Sequence, residues 1–85
     1  MKLNIYNSLP TIDLHGETGD ISKIIIKDFI NDNIKLKNKK IVIIHGIGKG
    51  IVKKAVYNEL TVNKNVKTYK QDNFNPGMTI VELDV

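Results

Sequence analysis

The chain has 85 residues, enough for one small domain and too few for a second hydrophobic core. It carries a formal net charge of +4, has no cysteine, and draws all 13 of its basic residues from lysine. This composition excludes a disulfide scaffold, a thiolate zinc site and phosphate capture by arginine forks, and it leaves a polyanionic partner open without establishing one.

Residues 1–10 read as a lead-in of mixed polarity. They lack the apolar run of a secretory signal, which favours a cytoplasmic protein. A single domain is expected over residues 11–85. Thr11 to Leu14 is the first strand, with Ile12 and Leu14 on one face and Asp13 and His15 on the other. Thr18 then suits a helix N-cap and Asp20 the positive end of the helix dipole. The helix is predicted from Gly19 to Leu36, burying Ser22, Ile25, Ile26, Phe29, Ile30 and Asn33 at 3, 4 spacing. Lys37-Asn38-Lys39-Lys40 is a solvated turn. Ile41 to Ile44 has the β-branched, all-apolar pattern of a strand covered on both faces, and it is far too short to span a bilayer. No membrane partner is expected.

A glycine-rich turn follows, then a second helix from Ile51 to Val62 whose inner face is Val52, Ala55, Val56 and Leu60. Val66 to Asp72 and Met78 to Val85 are predicted as a hairpin around the Asn75-Pro76-Gly77 turn. The order β-α-β-α-β-β gives an α/β fold, a two-layer sandwich with a four-stranded mixed sheet and both helices on one face. The opposite face is expected to be partly open, with Ile43 and Ile80 there as apolar candidates for protein contact.

The only two histidines sit in the same phrase. Ile12-Asp13-Leu14-His15-Gly16 and Val42-Ile43-Ile44-His45-Gly46 each end an apolar run, and a turn and an amphipathic helix follow each of them. If the two strands are parallel neighbours, the imidazoles converge on one edge of the sheet, where their near-neutral pKa suits proton transfer or metal binding. Asp13 shares a strand face with His15 and can fix its tautomer or join it around a cation. It can equally satisfy backbone amides of the following turn. Gly46, Gly48 and Gly50 allow a close backbone approach to a phosphate at a helix N-terminus, although a tight turn alone requires the same glycines. The spacing is neither that of a P-loop nor that of a dinucleotide fold. Lys49 in the loop, with Lys53 and Lys54 on the helix, adds ammonium groups for phosphate contact.

Two imidazoles at a phosphate define a chemistry that needs no cofactor. One takes a proton from a ribose 2′-hydroxyl and the other protonates the leaving 5′-oxygen. The alternative uses Asp13, a histidine and Glu17 around a divalent cation that activates water, with a thin ligand set.

At these positions the sequence resembles the Smr (small MutS-related) domain family. Its Leu-Asp-Leu-His-Gly block appears as Ile12-Asp13-Leu14-His15-Gly16, and its His-Gly-x-Gly-x-Gly loop as His45 to Gly50. Its terminal Gly-x-Thr-x-Val-x-Leu strand appears as Gly77 to Leu83. The resemblance runs from Thr11 to Leu83 with all blocks in order. It implies a fold similar to the C-terminal domain of translation initiation factor three, and binding or cleavage of nucleic acid, since the family includes DNA-nicking and RNA-cleaving endonucleases. The chain departs from the family at two positions: Ile47 stands where a basic residue is common, so either Lys49 restores the charge nearby or the phosphate contact is weakened, and position 49 lacks the usual small hydroxylic residue.

The expected function is therefore a nucleic-acid endonuclease, favouring RNA. Asp13, His15 and His45 are its catalytic residues, and Gly46, Gly48, Lys49, Gly50, Lys53 and Lys54 contact phosphate. The alternatives are a non-catalytic nucleic-acid- or ribosome-binding module and a metal-assisted DNA-nicking enzyme.

Overall fold

The elements follow one another as β1 (Thr11–Asp13), α1 (Gly19–Lys35), β2 (Lys40–Ile44), α2 (Ile51–Val62), β3 (Val66–Gln71) and β4 (Met78–Leu83). They are seen in a computed structural model that describes residues 9–85, so the expected lead-in lies outside the described residues except for Leu9 and Pro10. Local chemistry accounts for the ends. Thr18 caps α1, its hydroxyl accepting from the Ile21 N–H at 3.2 Å and its carbonyl from the Ser22 N–H at 3.0 Å. α1 stops where Lys37 takes a left-handed φ of 60°. Just beyond, Asn38 donates through its N–H to the Asn33 carbonyl (2.9 Å) and through its side-chain amide to Asn33 Oδ1 (2.8 Å). That explains a polar residue on the buried stripe: Asn33 ties off the helix from within.

The strand order is β1-β2-β4-β3. β1 runs parallel to β2, while β4 is antiparallel to both β2 and β3 and is inserted between them. The predicted hairpin of β3 and β4 is present, with a register shift between Val66 and Thr68. The core lies between the sheet and the two helices, with Ile26 and Ile30 of α1 and Val56 and Leu60 of α2 packed on Leu14, Ile41, Ile43, Val81 and Leu83. No helix is long and apolar enough to cross a membrane among the described residues.

One placement differs from expectation. Ile43 is fully buried in the helix-side core and is unavailable for protein contact. The two-residue period settles this: Ile43 shares a face with Ile41, whereas Val42, paired with Ile80, faces the other way. Ile80 does lie on that opposite face, but it too is buried.

Candidate active site

β1 and β2 end at the same edge of the sheet, and pairing continues past β1 through the Leu14 N–H, which donates to the Ile44 carbonyl at 2.7 Å. The register sets Asp13 beside Ile44. Carried one and two residues further, it places Leu14 beside His45 and His15 beside Gly46. The repeated phrases are thus offset by one residue, and a one-residue offset exchanges the faces. His15 follows Asp13 onto the face away from the helices, with 71% of its side chain exposed. His45 turns inward and is 4% exposed. Both line one cleft of about 480 Å³ at the sheet edge, which they reach from opposite faces of their strands.

His15 forms a dyad with Asp13. Its Nδ1 lies 2.6 Å from Asp13 Oδ1, and the same oxygen accepts the His15 backbone N–H at 3.1 Å. The hydrogen bond to the carboxylate, reinforced by its charge, raises the imidazole pKa above the usual 6.5. The two N–H bonds from His15, side chain first and then backbone, hold the Asp13 carboxyl below 3.8. With Nδ1–H directed at the carboxylate, Nε2 is the nitrogen left for a substrate.

His45 is engaged on both sides. A carbonyl can only accept, so Nδ1 carries the proton and donates to the Gly46 carbonyl at 3.1 Å. Nε2 then accepts from the Thr79 hydroxyl (2.8 Å), which in turn accepts from the Tyr57 hydroxyl (2.9 Å). Tyr57 also meets the His45 ring edge-on at 6.1 Å and stacks edge-on with Tyr69 at 5.4 Å. Burial pushes the His45 pKa below 6.5. The Gly46 carbonyl opposes that shift, and the Lys53 charge adds to it.

This gives His45 a signature in stability. Because the folded pKa is depressed, the neutral ring contributes stability that is present above pH 6.5 and lost as pH falls toward the folded-state value. His15, with its raised pKa, contributes with the opposite sign. Thermal midpoints measured from about pH 7.5 to 5 should therefore fall more steeply with acid in the wild type than in His45→Gln, which keeps His15. Parallel curves would refute a buried neutral His45.

The His45-Gly46 turn is held from β4. The Gly77 carbonyl accepts both the His45 N–H (2.8 Å) and the Gly46 N–H (3.1 Å). Gly46 itself has φ +81°, and a Cβ there would lie 3.0 Å from His15 Cβ, so one glycine carries the contact between the two histidine turns. At the other end of the loop Gly50 caps α2 at φ 80° with no side-chain bond. That leaves the first-turn amides of α2 open where Ile51 and Val52 line the cleft, an arrangement that favours an anion.

Of the residues expected in the site, the cleft gathers His15, His45, Gly46, Gly48, Lys49 and Gly50, together with Glu17. Asp13 stands behind His15. Lys53 and Lys54 do not line the cleft. Lys53 bonds Gln71 Oε1 and lies 5.7 Å over the Tyr57 ring, while Lys54 is exposed on α2. No group of three or more His, Cys, Asp or Glu is placed to hold a metal ion among the described residues. Sequence reasoning passed over Tyr57, Thr79 and the Gly77 carbonyl. The Gly77-Met78-Thr79 block was a usable signal, since a glycine and a hydroxyl at the head of a strand are residues a neighbouring loop can bond.

The sequence profile of the Smr domain matches residues 12–84. Among curated proteins the chain is 30% identical over 76 residues to Endonuclease MutS2 of Caldicellulosiruptor bescii, covering 86% of this chain and 10% of that protein. It is 32% identical over 77 residues to Endonuclease MutS2 of Halothermothrix orenii, covering 87% and 10%. The chain thus spans about a tenth of the length of the curated relatives it matches. The Smr domain of Thermus thermophilus MutS2 superposes with a TM-score of 0.87 at 21% identity, covering 91% of this chain and all of that one. YdaL, a stand-alone small MutS-related protein from Escherichia coli, superposes at 0.80 with 22% identity, covering 86% and 63%. Both likenesses establish the shared fold.

Proposed function

This chain belongs to the Smr domain family, and from that premise we propose that it is a cytoplasmic nucleic-acid endonuclease that cleaves RNA by histidine-assisted chemistry. The observation that carries the reading is the Asp13–His15 dyad, a carboxylate 2.6 Å from an exposed imidazole at the mouth of a glycine-lined cleft. The name endonuclease borne by the curated relatives supports it.

In this mechanism the backbone amides of the loop and of the first turn of α2, with Lys49, receive the phosphate. His15 Nε2 takes the proton of a ribose 2′-hydroxyl, and the 2′-oxygen attacks phosphorus. The bond to the 5′-oxygen breaks, leaving a 2′,3′-cyclic phosphate and a 5′-hydroxyl protonated by water at the open mouth. Asp13 holds the tautomer and stabilises the imidazolium that forms. His45, with both nitrogens occupied, acts as a positioning residue that holds the Gly46 turn between Thr79 and His15. No cofactor enters these steps.

The double engagement of His45 also favours a second reading, a non-catalytic module that binds RNA, DNA or the ribosome through the same amides and through Lys49, Lys53 and Lys54. Matched end-labelled RNA and DNA strands incubated with the protein, with and without EDTA, separate the readings. Cleavage of RNA alone that survives EDTA supports the 2′-hydroxyl route. Cleavage of both polymers that EDTA abolishes replaces it with divalent-cation-assisted nicking. Retention without cleavage, with a log–log salt slope of roughly −0.7 to −0.9 per phosphate contacted, establishes the binding module.

A further inference from the structure

We propose that Phe74 is a stacking platform for an unpaired nucleobase of the strand that enters the cleft, an inference that rests on the nucleic-acid reading above. The chain has two phenylalanines. Phe29 packs against the core, while Phe74 is 96% exposed, the most exposed large apolar side chain of the described residues. Exposure alone is ordinary for a single apolar residue. What sets Phe74 apart is how its backbone is held and where that backbone is anchored.

The turn around it is braced on both sides. Asp72 Oδ2 accepts the N–H of Phe74 at 3.0 Å and of Asn75 at 2.8 Å. Asn75 Oδ1 accepts the Gly77 N–H at 2.9 Å, and the Asn75 carbonyl accepts the Met78 N–H at 3.1 Å. With the backbone already fixed, stacking a base on the ring has only its side-chain rotamers left to order.

The same turn is anchored to the site, because the Gly77 carbonyl holds the His45 and Gly46 amides. Phe74 precedes Gly77 by three residues, which bounds their separation at about 11 Å. A single strand covers that distance in a few nucleotides. The cleft also carries Lys49 between exposed Ile47 and Ile51, so one ammonium group stands between two apolar side chains at this edge of the sheet. Base faces and phosphates alternate in the same way along an unpaired strand, whereas a duplex conceals its base faces.

The protein has no tryptophan, so Phe74→Trp introduces a single indole reporter whose emission responds to stacking and needs no cleavage. The variant is titrated with an oligoadenylate strand, the matching oligodeoxyadenylate and a blunt duplex of equal length. The proposal expects saturable quenching by single strands and none by the duplex, and comparison of the two strands shows whether RNA or DNA is preferred. Phe74→Ala, with unchanged circular dichroism, is expected to bind the single strand roughly 5- to 150-fold more weakly, the range for loss of one base–aromatic stack. Phe74→Tyr is expected to restore the affinity. If the wild type binds the strand while the indole emission stays constant and Phe74→Ala binds equally well, the platform is refuted and the nucleic-acid reading stands. Equal quenching by the duplex refutes selection for unpaired bases. Absence of binding to any of the three by the folded wild type overturns both readings together.

Discussion

His15→Ala is expected to slow RNA cleavage by roughly 10²- to 10⁴-fold, the contribution typical of a positioned general base, with little change in thermal midpoint. The small stability effect follows from exposure, because the ring packs against little and its ion pair with Asp13 is open to solvent. The pH profile supplies a more specific signature. A general base must be neutral, and the carboxylate raises the imidazole pKa above 6.5, so activity should climb with pH through that raised value. Asp13→Asn removes the charge that raises it while still accepting from Nδ1–H. The acid limb should therefore move to lower pH and the plateau should fall. A folded His15→Ala protein that cuts at the wild-type rate would remove the dyad from the mechanism. An acid limb left in place by Asp13→Asn would remove the carboxylate's electrostatic role.

Gly46→Ala is expected to cost about 2–4 kcal/mol of stability, combining a left-handed backbone penalty with an overpacked contact. Both parts are visible at one residue: φ is +81°, and the new methyl would sit 3.0 Å from His15 Cβ. Small domains hold about 5–15 kcal/mol in total, so the variant should melt well below the wild type. Cleavage should fall further than the folded fraction accounts for, because relieving the clash moves His15. The control is Gly48→Ala. Gly48 has no left-handed φ, and a Cβ there meets nothing within 4 Å, so that variant should fold like the wild type. Chemical denaturation of the pair, with activity normalised to folded protein, checks both expectations. Equal stability of the two variants would contradict the packing described for Gly46.

The elements were legible because each carries its own period. The 3, 4 spacing from Ser22 to Asn33 matches a buried helical stripe, and the short length and β-branching of Ile41 to Ile44 favour an interior strand over a helix. Asp13 and His15 were legible as a pair because a separation of two on a strand puts both on one face. The relation between the histidines was not. It depends on how β1 slides along β2, and a repeated phrase gives no information about a one-residue offset that turns one ring outward and the other inward. Tyr57 was hidden for a related reason: it falls beside the apolar stripe of α2 and reads as a half-buried aromatic until Thr79 is brought up to its hydroxyl. Ile43 was misplaced because an all-apolar strand does not announce which of its faces meets the helices.

β4 occupies the middle of the sheet although it is the last strand in chain order. During synthesis the ribosome delivers β1 and β2 early, and until Met78–Leu83 emerges β2 has only the three-residue β1 beside it. The Gly77 carbonyl and the Thr79 hydroxyl, which fix the His45 turn, arrive with that same strand. A chain that stops short of it carries Asp13 and His15 but lacks the two groups that hold the His45 turn beside them. The histidine edge is therefore completed in one step, when β4 enters the sheet between β2 and β3.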